Sequence, residues 1–198
     1  MPESVIYVAF GIQADLSDAQ LDEVAFGLEI SGHPFIWVVR SKTWSTPNSL
    51  EERVKCRGLI MRELVDQRHI LAQGSTAGFL SHCGWNSVLE SISEGVPVLA
   101  WPMIADQFFN AKFAVDGLGA GLSIGKVEPK GIVGREAISE GVRELMGGEK
   151  GKAAREKVKE LSRVARKAVQ EDGSSYENLS RLLDQLGASS LTNGSVLH

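Results

Sequence analysis

The chain has little cysteine and no arrangement of it that staples or ligates. Two residues, Cys56 and Cys83, are cysteine; without a CxxC pair they form neither a disulfide framework nor a zinc pattern. The four histidines are scattered without ligand spacing. No apolar run approaches the roughly 20 residues that a membrane span needs. The opening MPESVIYVAFG lacks a basic segment ahead of its apolar stretch and a small-residue cleavage site, so no signal peptide is expected. No internal repeat is present. Charge is nearly balanced, with 21 basic and 25 acidic residues and a net of −4, which argues weakly against general nucleic-acid binding. Hydrophobic residues make up 43% and charged residues 23% of the 198, values of a folded chain rather than a disordered or collagen-like one. At that length roughly 70% of the unfolded surface can be buried without staples. The expectation is one soluble, cytoplasmic domain over residues 1–187 and a polar tail over 188–198.

The rest is alternation. VIYVAF (5–10) is an apolar, β-branched run opening onto Gly11, as suits a parallel strand buried on both faces. Ser17-x-x-Gln20 reads as a capping box ahead of a helix carrying Leu21, Val24, Ala25 and Leu28, which Gly32 ends. Further strands are predicted at 34–40, 58–65, 77–83, 97–102 and 119–125, with helices near 86–94 and 106–115. Such alternation predicts a doubly wound, Rossmann-like parallel sheet. From about 134 the chain reads as helix, with an apolar stripe at Val158, Leu161, Ala165 and Ala168. A second stripe, at Tyr176, Leu179, Leu182, Leu183 and Leu186, follows a capping box at Ser174-x-x-Glu177. Ligands on such sheets sit at the carboxyl ends of strands, so the loops after Phe10, Val65, Cys83 and Pro102 are where chemistry is expected.

Residues 64–107, LVDQRHILAQGSTAGFLSHCGWNSVLESISEGVPVLAWPMIADQ, concentrate the information. A strand ends in Ser81-His82-Cys83, Gly84 lets the backbone turn closely, and a helix starts near Asn86. Its free N–H groups and dipole make an anion site, with donors from His82, Asn86 and Ser87 beside it. On spacing alone, a capping box Ser87-x-x-Glu90 is the stronger reading. Asp106 and Gln107, past the strand at 97–102, carry the acceptors and donors that grip sugar hydroxyls, or Asp106 caps a helix.

Taken together, HCGWNS (82–87), Glu90, Gly95-Val96-Pro97, Pro102 and Asp106-Gln107 resemble the plant secondary-product glycosyltransferase signature of family 1 UDP-dependent glycosyltransferases. VIYVAFG, LDEVAFGLE, PFIWVVR and GSSYENL extend the resemblance to the whole C-terminal, nucleotide-binding half of that family. It implies the two-domain GT-B fold, of which this chain is the donor half, and a UDP-sugar donor with no metal. By the same resemblance, His82, Asn86 and Ser87, beside Gly84, hold the diphosphate and Trp85 lines the sugar pocket. Glu90 accepts from the ribose hydroxyls, Gln67 lies near ribose and uracil, and Asp106 and Gln107 hold the sugar. A Gln in the last place implies UDP-glucose.

The sequence also departs from the family. Leu64 replaces the Trp whose ring stacks on uracil, a contact worth about 1–3 kcal/mol, or roughly 10- to 100-fold in affinity. Gln73 stands where the family has His, Ile12 where it has a hydroxyl residue, and Val65-Asp66 where Ala-Pro is commoner. Family members run to more than twice this length, and the missing N-terminal half carries the acceptor site and the catalytic His. Of the four histidines, His33, His69 and His198 fall outside the motif's ligand-facing positions and His82 is committed to phosphate, so no catalytic base is expected here. The expected function is transfer of a sugar to a hydroxyl of a small acceptor, this chain being the donor half; the alternative is a truncated, non-catalytic nucleotide-sugar-binding domain. A free half should also expose the stripe at 174–186 and self-associate. The basic residues of 150–167 alternate with Glu149, Glu156 and Glu160 and read as a solvated helix face, not a nucleic-acid site. No GxGxxG follows the first strand, which argues against a dehydrogenase.

Overall fold

The computed structural model describes residues 4–11, 16–41, 43–47, 49–125 and 131–192. Ile12 and His198, singled out in the sequence, lie outside them. Six strands form one sheet: β1 (Val5–Ala9), β2 (Phe35–Val38), β3 (Gly58–Met61), β4 (Thr76–Ser81), β5 (Val98–Ala100) and β6 (Gly121–Ser123). Every pairing is parallel, in the order β3-β2-β1-β4-β5-β6. This is the doubly wound order, in which the chain's direction of winding reverses between β1 and β4.

The α-helices among the described residues are α1 (Asp18–Ser31), α2 (Leu50–Val54), α3 (Gln67–Leu71), α4 (Trp85–Glu94), α5 (Gln107–Lys112), α6 (Arg135–Gly147), α7 (Glu149–Ala168) and α8 (Ser174–Thr192). The two faces of the sheet bury alternate residues, as the pleat requires. Ile6, Val8, Phe35 and Trp37 pack with Leu21, Val24 and Leu28 of α1 and Ile138, Val142 and Leu145 of α6. Tyr7, Ala9, Val38 and Phe79 face Leu71 and Val96 on the other side. Trp37 and Trp44 are both buried and pack on each other with ring centroids 5.2 Å apart.

Several elements differ from the expected ones. The third strand stops at Met61, and the short helices α2 and α3, whose apolar positions are too few to show a period, were not predicted. The helix expected over 106–115 is α5, continued by one π-helical turn over Phe113–Gly117. The Ser17 hydroxyl caps α1 by accepting from the Gln20 N–H at 3.2 Å, but Gln20 does not reciprocate. Its amide instead bonds the Val133 carbonyl at 2.9 Å and N–H at 2.8 Å, tying α1 to the entry of α6. The capping box at Ser174 does not form either, because Ser174 is already helical and the Gly173 carbonyl receives the Glu177 N–H. The buried stripe of α7 is Gly151, Ala154, Val158 and Ser162, with Leu161 partly buried beside it. α8 runs on to Thr192, past residue 188 where the polar tail was expected to begin. No helix among the described residues is long and apolar enough to cross a membrane.

Candidate functional site

Ala9 is in register with Val38 of β2 on one side and Ser81 of β4 on the other. The residues just beyond these strands therefore open together at the carboxyl edge of the sheet, at the point where winding reverses. A cavity of about 380 Å³ lies there, lined among others by Tyr7, Gly11, Arg40, Gln67, His82, Ser87, Glu90 and Gln107.

The turn from β4 into α4 shapes its floor. Cys83 carries the left-handed backbone, with φ of 63°, a conformation that costs a non-glycine residue of order 1–3 kcal/mol. Ser81 supports it by accepting from the Cys83 N–H at 3.1 Å. Gly84 is needed for a different reason from the one expected. Its own backbone is ordinary (φ −57°, ψ 142°), but a Cβ there would come within 2.6 Å of His82 Nε2, as would one on Gly11. The imidazole is thus slotted between two glycines, and Gly11, at φ 72°, also needs its freedom to turn.

Gly84 caps α4 without any side-chain hydrogen bond, so the first N–H groups of the helix are left to solvent or a ligand. This overturns the capping-box reading of Ser87-x-x-Glu90. Both side chains turn instead to Gln67 of α3, whose Nε2 donates to Ser87 Oγ at 3.0 Å and to Glu90 Oε2 at 2.7 Å. Asp66 caps α3 by accepting from the His69 N–H at 3.1 Å, which gives this residue a task of its own and sets Gln67 in place. Gln73, by contrast, bonds His69 and lies outside the cavity lining.

The capping alternative for Asp106 fails as well, since its side chain makes no cap. Asp106 Oδ2 accepts from Asn110 Nδ2 at 2.8 Å, and the same amide donates to the Cys83 carbonyl at 3.1 Å. Asn110 therefore ties α5 to the β4–α4 turn, a role that its spacing four residues after Asp106 could have suggested. Gln107 is 4% exposed. Its Oε1 accepts from the Met103 and Ile104 N–H groups at 2.9 and 3.0 Å, which leaves its amino group for a ligand.

Of the expected site residues, the cavity brings together Gln67, His82, Ser87, Glu90 and Gln107. Gly84, Trp85, Asn86 and Asp106 adjoin these in the chain but do not line it. Trp85 is 43% exposed and tilts against Phe113 at 6.1 Å. Leu64 is 80% exposed, while its neighbour Val65 lines the cavity. Tyr7 and Arg40 also line it and were not anticipated; their places on the inward-facing side of β1 and just past β2 were the available signal.

Electrostatically the cavity is mixed. Burial holds the His82 pKa below its usual 6.5, against smaller upward pulls from the Ala9 backbone and Asp106. Its buried Nδ1 has no hydrogen-bond partner of acceptable geometry among the described residues. Burial, then Glu90, pushes the Tyr7 phenol up to about 12, against an opposing effect of Arg40. The Cys83 thiol, also buried, is raised to about 12 and is inert. Among the described residues no three His, Cys, Asp or Glu side chains converge as a metal-ligand set.

A parallel sheet of this order with its crevice at the switch point defines a Rossmann-like nucleotide-binding class of domain. The family profile described as "UDP-glucoronosyl and UDP-glucosyl transferase" matches residues 2–168, and the chain belongs to that family. It is 48% identical to UDP-glycosyltransferase 90A1 of Arabidopsis thaliana over 96% of this chain and 41% of that protein. It is 42% identical to scopoletin glucosyltransferase of Nicotiana tabacum over 96% of this chain and 42% of that one. The solved structure of Phytolacca americana UGT2, complexed with UDP-2fluoro-glucose and pterostilbene, superposes with a TM-score of 0.87 at 44% identity, covering 93% of this chain and 42% of that one. The chain thus spans about two fifths of the length of the relatives it matches, and corresponds to the C-terminal half of a plant family 1 UDP-glycosyltransferase.

Proposed function

We propose that the chain is the donor-binding half of an inverting glycosyltransferase that moves glucose from UDP-glucose to a hydroxyl of a small molecule. The observation that carries this reading is the convergence of His82, Ser87, Glu90, Gln67 and Gln107 on one cavity beside the uncapped start of α4. The diphosphate sits on the N–H groups of that helix start, with His82, Asn86 and Ser87 as further donors. Glu90 accepts from the ribose hydroxyls, and Gln67, which bridges Ser87 and Glu90, turns to the nucleoside. Gln107 donates through its free amino group and Asp106 accepts, so that the two grip the sugar beside Trp85. The fluoro-glucose and small-molecule ligands of the Phytolacca enzyme support the same assignment.

In the transfer, the acceptor oxygen bonds to the anomeric carbon as the bond from that carbon to the β-phosphate oxygen breaks. The acceptor's proton goes to a base and the negative charge goes to UDP, where the helix start stabilises it. His82, pressed between Gly11 and Gly84 against the diphosphate position, is unsuited to be that base. The base comes from a part of the enzyme outside this chain, so the chain alone binds donor without turnover. The enzyme works in the cytoplasm, where the two unpaired cysteines of this chain stay reduced.

The test is calorimetric titration with UDP-glucose, beside a Leu64→Trp variant, followed by an assay for UDP release with a phenolic acceptor. Micromolar binding is expected, about tenfold tighter in the variant, with no release of UDP. Absence of binding in both proteins refutes the donor site, and turnover by the chain alone refutes the division of labour.

A further inference from the structure

The donor reading leaves one wall of the cavity without a task. The diphosphate, ribose and sugar are accounted for between β1, α4 and α5, whereas Tyr7, Val38, Arg40 and Val65 form the side toward β2 and β3. Alternation along β2 carries Val38 and Arg40 to the same face as Tyr7 and Ala9, while Val39 turns into the opposite core. In the sheet order β2 stands two strands, about 10 Å, from β4 and the start of α4. This is the end left for the base.

The walls at that end are mostly apolar, and Leu64 offers no ring for stacking. Arg40 is the one Lys or Arg among the lining residues. It has no ion pair or hydrogen bond among the described residues, and its charge reaches inward far enough to oppose that of Glu90 at the Tyr7 phenol. A guanidinium only donates, and it does so in a fixed planar fork. Uracil presents two carbonyl acceptors on its edges, where adenine presents ring-nitrogen acceptors and an amino donor in a different arrangement.

We infer that Arg40 is a specificity residue of the nucleotide site, donating from the end of β2 to a carbonyl of the uracil base. The inference rests on the donor reading above. Titrations of the chain with UDP and ADP, for the parent, Arg40→Met and Arg40→Lys, test it. Arg40 is exposed, so both variants should fold with unchanged circular dichroism. The expected result is a fall of about tenfold in the preference for UDP over ADP in Arg40→Met, with part of it restored in Arg40→Lys. An unchanged preference overturns the inference while leaving the donor site standing, whether UDP affinity is retained or both nucleotides weaken together; the latter would put Arg40 on the diphosphate. If the parent binds neither UDP nor UDP-glucose, the donor reading falls and the inference with it.

Discussion

The cavity beneath α4 and the outer face of α8 make an instructive pair. Both are legible as residue patterns, one polar and one apolar, but the chain completes only the first. At the cavity, Gln67 holds Ser87 and Glu90, Asn110 holds Asp106 and the Cys83 carbonyl, and backbone N–H groups hold Gln107. On α8, Tyr176, Leu179, Leu182, Leu183 and Leu186 are all about half exposed or more. A polar site can be assembled from neighbouring turns at strand ends, each contact short and directional. An apolar stripe gains nothing until a second surface removes it from water, and no described part of the chain provides one.

The comparison breaks first at the helix start. Gly84→Val places a side chain where the His82 ring lies and crowds the first turn of α4. UDP affinity is expected to fall by about 100-fold, roughly 2.7 kcal/mol, in a protein whose circular dichroism is unchanged; calorimetry reads the loss. The opposite change is made on α8. Replacing Leu179 and Leu183 together by Glu should shift the onset of self-association to about tenfold higher concentration by sedimentation velocity. UDP affinity should stay within about twofold, and a concentration-independent monomer in the parent would refute the exposed-stripe argument.

The smallest effect is one of pH. Burial keeps the free His82 pKa below 6.5, and a bound diphosphate favours the protonated ring and raises it. The complex then holds more protons than the free protein, so affinity rises as pH falls through the bound pKa and levels off below the free one. A gain of a few-fold between pH 8 and 6 is expected. The ligand's terminal phosphate titrates in the same range, so His82→Asn is the reference, and equal slopes in the two proteins would remove His82 from the diphosphate.

Much of the fold was legible. Continuous apolar runs marked five strands to within a few residues, and Gly32 does end α1, where it adopts a left-handed conformation with φ of 79°. The third strand is shorter than expected because pairing with β2 ends at Met61, ahead of Arg62 and Glu63, although Leu64 and Val65 resume the apolar run. At the site, five of the expected residues line one cavity, and several local roles differ from those expected. Ser87 and Glu90 look like a capping box because spacing cannot tell a cap from two side chains that meet a third. Gln67, twenty residues earlier in the chain, decides between them. Cys83 rather than Gly84 takes the left-handed turn, since what excludes a side chain at Gly84 is the His82 ring.

The sequence by itself determined the parallel, doubly wound sheet, the family and the set of polar residues at the strand ends, because these depend on periodicity and on motif residues close together in the chain. Only the tertiary structure decided which of those residues share a cavity, that Tyr7 and Arg40 join them, and that the apolar face of α8 lies bare. Those outcomes depend on which strands are neighbours and how far each helix reaches across them, and spacing along one chain does not encode distances between strands.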